Sequence, residues 1–380
     1  MSEWKEYALG DLLQYEQPTA YIVSSTDYSD SYKTPVLTAG KSFILGYTNE
    51  EQGIYDTLPV IIFDDFTTAS QYVNFKFKVK SSAMKILSAN AELVLPKFIF
   101  YRMQIINFDA STHKRYWIQH YSKIKVKIPP LATQECIVSR IEELFSQLDA
   151  SVNELKTAKE RLKVYRQAVL KEAFEGDYPR IQLKEISNAI SGYAFKSKLY
   201  APTGKYVVVK IGNVKERYLD FSRDLTYTNE TDGTILDKYL LQCGDCLITL
   251  TGSRGKRDYG FVTMITDQTN YLLNQRVAAI RFDREKALPE FFQYYLASPA
   301  YRNIFFSYET GNVGQGNVGI KALTEPTVIL PNIEQQRQIV EKIESRLSVC
   351  DSIEKAMDTA LQQAEALRQS ILKKAFEGEL

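Results

Sequence analysis

The sequence predicts an α+β protein in which two β-rich globular parts are separated by two long helices that pair as an antiparallel coiled coil. Three features carry this prediction: an internal repeat, a seven-residue spacing of apolar side chains in both copies, and runs of β-branched and aromatic residues between the copies. The architecture is therefore a tandem duplication with pseudo-two-fold symmetry. It divides the chain into residues 1–127, 128–179, 180–329 and 330–380.

The internal repeat joins residues 128–178 to residues 330–380, which align without a gap over roughly 51 positions with about 18 identities. Both copies contain Arg-Gln-x-x-Leu-Lys followed closely by Ala-Phe-Glu-Gly, which stands at 173–176 and again at 375–378. A gapless match of this length indicates a duplication. The segments before the two copies differ in sequence, so the globular parts have diverged while the repeat has not.

Each copy of the repeat predicts one long helix. Pro129, Pro130 and Pro331 stand just before the predicted starts, where a missing backbone N–H is tolerated. Gly176 and Gly378 stand just after the predicted ends, where a left-handed residue commonly terminates a helix. Forty-odd residues at 1.5 Å per residue correspond to a rod of roughly 60 Å.

Apolar side chains in both copies repeat every seven residues, which is the pattern of a coiled-coil seam. The first row comprises Ile141, Leu148, Leu155, Leu162 and Val169, and Ile343, Cys350, Met357, Ala364 and Ile371. A second row is predicted three residues further on, at Leu144, Ala158 and Tyr165, and at Ile353, Ala360 and Leu367. The matched lengths favour pairing of the two helices with each other. Packing of each helix on a separate globular core remains the alternative.

Runs of β-branched and aromatic residues bounded by Gly, Asn, Asp and Thr predict strands in both globular parts. The clearest are Tyr-Val-Val-Val-Lys-Ile at 206–211 and Val-Ile-Ile-Phe at 60–63. Residues 287–307 predict a helix that is followed by a glycine-rich loop. Each globular part therefore precedes one long helix.

The composition indicates a folded protein, since 44% of the 380 residues are hydrophobic and 24% are charged. This excludes wholesale disorder, and the length suits two or three domains. The N-terminus has no basic segment followed by an apolar run, and no apolar stretch approaches the length of a membrane span. Four cysteines do not suggest a disulfide framework, so a cytoplasmic location is expected.

Positive charge is concentrated in two blocks, although the net charge of the chain is only +1. Residues 76–127 carry about 11 Lys or Arg against about two Asp or Glu, and residues 180–329 are net positive by roughly four. Residues 128–179 and 330–380 are each acidic by about two. The basic blocks are candidates for contact with a polyanion such as nucleic acid.

Several motifs resemble those of the specificity subunits of type I restriction-modification systems. Pro-Pro-Leu-Ala-x-Gln at 129–134 and Ile-Val-x-x-Ile-Glu-Glu-Leu-Phe at 137–145 resemble the spacer region of that family, and the copy from Leu330 resembles its second spacer. Motifs of the second globular part resemble the family's target-recognition domain, at 190–195, 210–214, 244–253, 274–280 and 311–317. In the first part, equivalent elements stand at 9–12 and 63–68. The resemblance covers essentially the whole chain.

The resemblance implies a DNA-binding and scaffolding protein without an active site of its own. Residues 1–127 and 180–329 would be target-recognition domains that each read one half of a split DNA target. The spacer helices within 128–179 and 330–380 would set the distance between the halves. Double-stranded DNA and two methyltransferase subunits are the implied partners, and a restriction subunit could join them. No cofactor is expected in this chain; S-adenosylmethionine is expected in the methyltransferase subunits.

Arg and Lys read guanine in the major groove and Asn and Gln read adenine, so polar loops of the globular parts are the candidate DNA-binding sites. In the second part the candidates are Ser253, Arg254, Lys256, Arg257, Asn274, Gln275, Arg276, Asn312, Gln315, Asn317 and Lys321. In the first part they are Lys41, Thr67, Thr68, Ser70, Lys97, Arg102, Lys114 and Arg115. Most of these side chains are expected to contact phosphates rather than bases.

Three further motifs resemble catalytic or cofactor sites only superficially. Gly-x-Gly-x-x-Gly at 314–319 lacks the following helix that a dinucleotide site requires, so it is interpreted as a loop near DNA. Cys243 and Cys246 form a single pair without a second pair at zinc spacing, so no metal site is expected. Asp64 and Asp65 are interpreted as a polar turn after a strand rather than as paired catalytic carboxylates.

Two other functions remain open from the sequence. A coiled-coil adaptor would organise protein partners without contacting DNA, which the basic block 76–127 argues against. An enzyme, either a nuclease or a methyltransferase, would need catalytic signatures. The Asn/Asp-Pro-Pro-aromatic signature of the amino-methyltransferases is not found in the chain.

Overall fold

The computed structural model describes residues 4–40, 42–111, 115–267, 270–311 and 314–379. The chain forms two compact units: unit 1 comprises Met1–Lys156 and Asp358–Leu380, and unit 2 comprises Thr157–Met357. Each unit contains one globular part together with segments of both long helices. The division of the sequence into four segments stays a prediction.

The globular part of unit 1 is built from short strands around a four-stranded antiparallel sheet. Its strands are β1 (Lys5–Ala8), β2 (Leu13–Glu16), β3 (Thr34–Leu37), β4 (Ile44–Thr48), β5 (Val60–Asp64), β6 (Ser70–Val73), β7 (Lys78–Val79), β8 (Met84–Ala89) and β9 (Lys125–Ile128). Its helices are α1 (Leu9–Leu12) and α2 (Pro96–Met103). The central sheet has the order β2-β8-β5-β6, a second sheet has the order β4-β3-β7, and β1 pairs with β9.

Strand β5 is buried on both faces, which explains its continuous apolar sequence. Ile61 and Phe63 belong to one hydrophobic core. Val60 and Ile62 belong to another. Successive side chains of a strand face opposite sides of the sheet, so two cores require an apolar residue at every position. The predicted strand is confirmed.

The first long helix, α3, spans Leu131–Ala173, and the globular part of unit 2 follows it. The strands of that part are β10 (Arg180–Gln182), β11 (Ser187–Ser191), β12 (Tyr200–Ala201), β13 (Tyr206–Val209), β14 (Val214–Lys215), β15 (Tyr218–Leu219), β16 (Tyr227–Thr228), β17 (Cys246–Thr249), β18 (Thr251–Ser253), β19 (Val262–Met264), β20 (Tyr271–Leu273), β21 (Val277–Phe282), β22 (Glu309–Thr310), β23 (Gln315–Val318) and β24 (Thr327–Ile329). Its helices are α4 (Gly233–Tyr239), α5 (Pro289–Ala297) and α6 (Pro299–Ser307). Its main sheets have the orders β11-β21-β17-β19, β12-β16-β13-β20 and β18-β23-β22.

The single helix predicted at 287–307 is wrong, because this segment forms two helices, α5 and α6. The Ser298 hydroxyl accepts a hydrogen bond from the Tyr301 N–H at 3.4 Å and so caps the start of α6. The same hydroxyl donates to the Tyr295 carbonyl at 2.6 Å, at the end of α5. Pro299 is tolerated at the first position of α6 but would remove a backbone hydrogen bond from a continuous helix.

The second long helix, α7 (Ile333–Glu377), runs antiparallel to α3 in each unit. In unit 1, Ile141 of α3 packs with Ile371 and Ala375 near the end of α7. In unit 2, Glu172 near the end of α3 pairs with Arg346 near the start of α7 at 2.7 Å. The predicted antiparallel pairing is confirmed. Among the described residues, neither these helices nor any other combine the length and apolarity needed to span a membrane.

The predicted second row of the helical seam is confirmed only in part: Leu144 packs against the cluster of Ile141 and Ile371 and Tyr165 contacts Arg346 of α7, but further seam residues lie four positions after the first row. Tyr165, Ile353 and Leu367 of the predicted second row are 44%, 40% and 50% exposed. Side chains that do face the partner helix at the four-residue spacing are Phe145, Arg166, Leu347, Glu354 and Arg368. Three of these five are charged and pair across the helices, so a pattern of apolar residues alone does not identify them.

Each copy of the repeat contains a buried glutamine that attaches the start of a long helix to the adjacent globular part. Gln134 and Gln336 are both 0% exposed. The Gln134 amide donates to the carbonyls of Leu93 and Pro129, at 2.9 Å each. Its oxygen accepts a hydrogen bond from the Leu95 N–H at 2.8 Å, just before α2 begins. In unit 2, Gln336 makes the equivalent hydrogen bonds with Lys286, Pro331 and Leu288.

Candidate nucleic-acid interface

In unit 2, the small sheet β18-β23-β22 brings two separate groups of predicted DNA contacts together. Ser253 on β18 stands opposite Gln315 on β23, and Thr251 stands opposite Asn317. The backbone N–H of Arg254 donates to the carbonyl of residue 314 at 3.2 Å. The basic turn after β18 therefore lies beside the glycine-rich segment before β23. The dinucleotide-like glycine motif at 314–319 is part of a β-hairpin and not the start of a long helix.

The basic turn, residues 253–258, is closed by an aspartate. The Asp258 carboxylate accepts hydrogen bonds from the Ser253 N–H at 2.6 Å and from its hydroxyl at 3.0 Å. These bonds hold the pKa of the Asp258 carboxyl below its usual range. A Cβ at Gly252 would approach the Asp258 carboxylate to 2.6 Å, so the turn needs glycine there. The carboxylate thus fixes the shape of a turn whose exposed side chains are cationic.

Glu309 holds Arg254 at one side of this turn. The Arg254 Nε lies 3.5 Å from a Glu309 oxygen, and its Nη1 donates to the Gly311 carbonyl at 3.2 Å. Glu309 also accepts a hydrogen bond from the Tyr259 hydroxyl. Burial, and secondarily this carboxylate, raises the pKa of Tyr259, so the phenol stays a donor. Arg254 is therefore oriented while 48% of its side chain remains exposed.

An aromatic ring holds Arg257 at the other side of the turn. The Arg257 guanidinium lies 4.8 Å from the centre of the Phe306 ring. Arg302 lies 5.2 Å from the same ring and is itself fixed by hydrogen bonds to the carbonyls of Tyr259 and Gly260. Lys256, between the two arginines, is exposed. The turn thus presents two oriented guanidinium groups and one exposed ammonium group.

The turn between β20 and β21 contributes two further exposed candidates. Asn274 is 8% exposed, and its side-chain oxygen accepts a hydrogen bond from the Gln275 N–H at 2.8 Å. Gln275 and Arg276 are exposed. The Arg276 carbonyl accepts from the Leu250 N–H at 2.9 Å, directly before β18, so this turn neighbours the basic turn. Asn274 shapes the backbone, while its two neighbours present side chains.

In unit 1, the predicted contacts after β5 form one group. The Asp64 carboxylate accepts hydrogen bonds from the backbone N–H groups of Phe66 and Thr67, at 2.8 and 3.0 Å. The interpretation of Asp64 as part of a polar turn is thus confirmed, whereas Asp65 is buried and pairs with Lys85 at 3.4 Å. Thr68 follows with a φ of 59°, and the Arg115 guanidinium lies 5.9 Å from the centre of the Phe66 ring. Thr67, Thr68 and Arg115 therefore belong to one surface.

Other candidates of unit 1 are engaged within the unit. Ser70 is 8% exposed and accepts a hydrogen bond from Gln104 at 2.9 Å. Lys97 pairs with Glu142 of α3. Arg102 lies 5.5 Å from the centre of the Phe376 ring of α7, and burial lowers its pKa. Ser70 directly follows the turn after β5 but is buried, whereas Lys97 and Arg102 contact α3 and α7 and do not join that turn. In unit 2, Lys321 is exposed and lies 3.9 Å from Glu325. Lys41, Lys114 and Asn312 lie outside the described residues.

Sequence reasoning did not identify the residues that orient the basic turn. Glu309, Tyr259 and Phe306 are separated from their partners along the chain, by 50 positions between Tyr259 and Glu309. A carboxylate and two aromatic residues at such separations form no local motif. The strand pairing of β18 with β23 and of β23 with β22 places Glu309 beside Arg254, and the helix α6 places Phe306 beside Arg257.

Comparison with known proteins gives one consistent result. The family model described as the type I restriction modification DNA specificity domain matches residues 1–160 and 175–363. The chain is 34% identical over 366 residues to the EcoR124I/EcoR124II specificity subunit of Escherichia coli, covering 92% of this chain and 88% of that relative. It is 28% identical over 282 residues to the EcoKI specificity subunit of Escherichia coli K12, covering 68% and 58%.

Solved structures confirm the predicted fold class. A chain from a type I R-M system, solved to explain complex assembly and conformational transition, has a TM-score of 0.70 at 18% identity and covers 99% of this chain and 98% of its own length. The HsdS subunit from Thermoanaerobacter tengcongensis has a TM-score of 0.53 at 18% identity, covering 99% and 97%. At these identities the comparison concerns the fold alone.

Proposed function

Because this chain belongs to the family of type I restriction-modification DNA specificity subunits, we propose that each of its two units reads one half of a split DNA target. The chain is a specificity subunit and not a catalytic subunit. The observation that supports this division is that each unit presents an exposed arginine beside the ring of a phenylalanine, next to a polar turn. Unit 1 has Arg115 beside Phe66, and unit 2 has Arg257 beside Phe306.

The basic turn of unit 2 has the chemistry that major-groove recognition requires. A guanidinium group can donate two hydrogen bonds to guanine, and an amide can pair with adenine. Arg254 and Arg257 supply guanidinium groups, while Gln315 and Asn317 on β23 supply exposed amides. The oriented arginines are suited to bases and the exposed Lys256 to a phosphate, since a phosphate contact needs charge more than geometry.

The partner subunits of the proposed complex are two methyltransferase subunits, and a restriction subunit can join them. Two copies are proposed because residues 128–178 and 330–380 repeat without a gap, so that one chain carries each helix twice. S-adenosylmethionine would be bound by the methyltransferase subunits, and this chain would bind no cofactor. We place the complex in the cytoplasm, where it has access to DNA.

Co-expression of the chain with its methyltransferase subunit tests this proposal. Sequencing that detects modified bases should reveal methylated adenines in a motif of two short sequences separated by a gap of unspecified bases. A gel-shift series should show that log affinity for this DNA falls steeply with log salt concentration. A continuous motif, or binding that does not depend on salt, would contradict the proposal. A coiled-coil adaptor that does not contact DNA would give neither result.

A further inference from the structure

Unit 1 contains a cavity of about 760 Å³ that none of the proposed DNA contacts lines. It lies between α2, α3 and the last turns of α7. Glu142, Asp149 and Glu365 line it together with one cation, Arg368, and with aromatic residues that include Tyr101. The excess of carboxylates disfavours a nucleic-acid phosphate and favours a cationic ligand.

The duplication supplies an equivalent arrangement in unit 2. Glu344, Asp351 and Arg166 occupy the same positions of the repeat as Glu142, Asp149 and Arg368, as the gapless alignment shows. Two of their contacts are repeated, although Arg166 pairs in addition with Glu354, where the first copy has Val152. Asp149 accepts from Arg368. Asp351 accepts from Arg166 at 2.5 Å. A tyrosine completes each set at 3.5 Å from the glutamate, Tyr101 beside Glu142 and Tyr294 beside Glu344.

In unit 2 this arrangement already holds a second arginine. The Arg217 Nη2 donates to the Asp351 Oδ1 at 3.2 Å, the same oxygen that accepts from Arg166. Arg217 also lies beside the Tyr294 hydroxyl; burial raises the pKa of that phenol, and Arg217 opposes the rise. Arg217 comes from the tight turn between β14 and β15 and has a φ of 69°. In the described part of unit 1, no second guanidinium reaches Asp149.

We propose that the cavity of unit 1 binds an arginine side chain of a methyltransferase subunit, in the way that its counterpart in unit 2 holds Arg217. This inference rests on the proposed function, which supplies that partner. Arginine is favoured over lysine because its planar group can pair with a carboxylate while it stacks on aromatic rings, and Phe100 and Phe145 line the cavity. Lys97 already pairs with Glu142, so Asp149 is the principal acceptor.

Two substitutions test the cavity in the full-length chain. Asp149→Asn removes the charge of the acceptor. Ala150→Arg adds an arginine at a residue that lines the cavity, so it should occupy the site while it leaves the pair of Asp149 with Arg368 in place. Both variants should bind the methyltransferase subunit about 10-fold more weakly, as expected for loss of one charge-assisted hydrogen bond. Ser151→Arg, one residue along α3 and outside the cavity lining, should bind as wild type.

Photo-crosslinking identifies the ligand. A photoreactive phenylalanine analogue at Phe100, in the complex with DNA and methyltransferase, should crosslink to an arginine-containing peptide of the methyltransferase. Substitution of that arginine by aspartate in the methyltransferase should weaken binding. Asp149→Arg in this chain should restore part of the lost affinity, because the two charges are then exchanged. Crosslinks to DNA or to a second copy of this chain would overturn the inference, as would wild-type binding by Ala150→Arg. A failure of the wild-type chain to bind the methyltransferase at all would instead contradict the proposed function.

Discussion

The basic turn of unit 2 allows three cations to be assigned separate roles by single alanine substitutions. Arg254 and Arg257 are oriented by Glu309 and by the Phe306 ring, whereas Lys256 is exposed. Oriented guanidinium groups are suited to base edges. We therefore expect R254A and R257A to relax one half-site, and K256A to weaken binding to every sequence equally.

The magnitudes follow from the kind of contact that is lost. Loss of one bidentate base contact costs about 1–3 kcal/mol, or roughly 5- to 150-fold in affinity for the preferred base. Loss of one phosphate contact lowers the slope of log affinity against log salt by about 0.9. The fold should persist, because the Arg254 side chain is 48% exposed and its ion pair with Glu309 is worth at most about 1 kcal/mol.

Fluorescence anisotropy with half-site variants, measured over a series of salt concentrations, separates the two outcomes. K286A is the control, since Lys286 is an exposed cation of the same unit that pairs with Asp283 at 3.0 Å. It removes the same charge and should change neither the slope nor base preference. If all three turn variants retain wild-type affinity and slope, the turn does not contact DNA and the assignment is refuted.

Three further predictions concern the fold. Q336A leaves a buried N–H and two carbonyls without their hydrogen-bond partners, and it should lower the free energy of unfolding by about 3 kcal/mol in urea titrations. Q338A, at an exposed glutamine, is the control and should change this free energy little. K85M leaves Asp65 as a buried charge without its lysine partner at 3.4 Å and should cost about 3–5 kcal/mol; a wild-type urea midpoint would contradict this. Burial raises the pKa of Glu216 from 4.5 to about 7, so between these pH values the folded state holds a proton that the unfolded state releases. The free energy of unfolding should therefore fall as pH rises from about 4.5 to 7. The variant E216Q should flatten that dependence.

The long helices could be predicted from sequence because their signals are local. Proline before the start, glycine after the end and the seven-residue apolar spacing lie within each copy of the repeat. The second row of the seam could be predicted from apolarity only in part, because Arg166 and Arg368, four residues after the first row, also belong to the seam and are stabilised by carboxylates of the partner helix. The break in residues 287–307 was predictable in principle from Ser298 and Pro299, which form a standard cap and first position.

The candidate interface was predictable at the level of loops but not of contacts. The polar character of Arg254 and Gln315 correctly predicted that both lie on exposed segments. That these segments lie side by side follows from the pairing of β18 with β23, which has no local sequence signal. The same residue types also selected Lys97 and Arg102, whose side chains contact α3 and α7 within unit 1. Sequence alone does not distinguish a cation that packs against its own chain from one that faces solvent, because both are long, charged and found in basic segments.

The central claim, that each unit reads its own half of the DNA target, is tested most directly by a chimaera. Residues 1–127 are replaced by the corresponding block of another family member. The donor should have a phenylalanine at the position that aligns with Phe98, since the ring centres of Phe98 and of Phe376, at the end of α7, lie 5.2 Å apart. The chimaera is co-expressed with the methyltransferase subunit, and methylated adenines are mapped across a genome. We expect one half of the methylated motif to change and the other half to stay as in wild type. A change in both halves, or in neither, would contradict it.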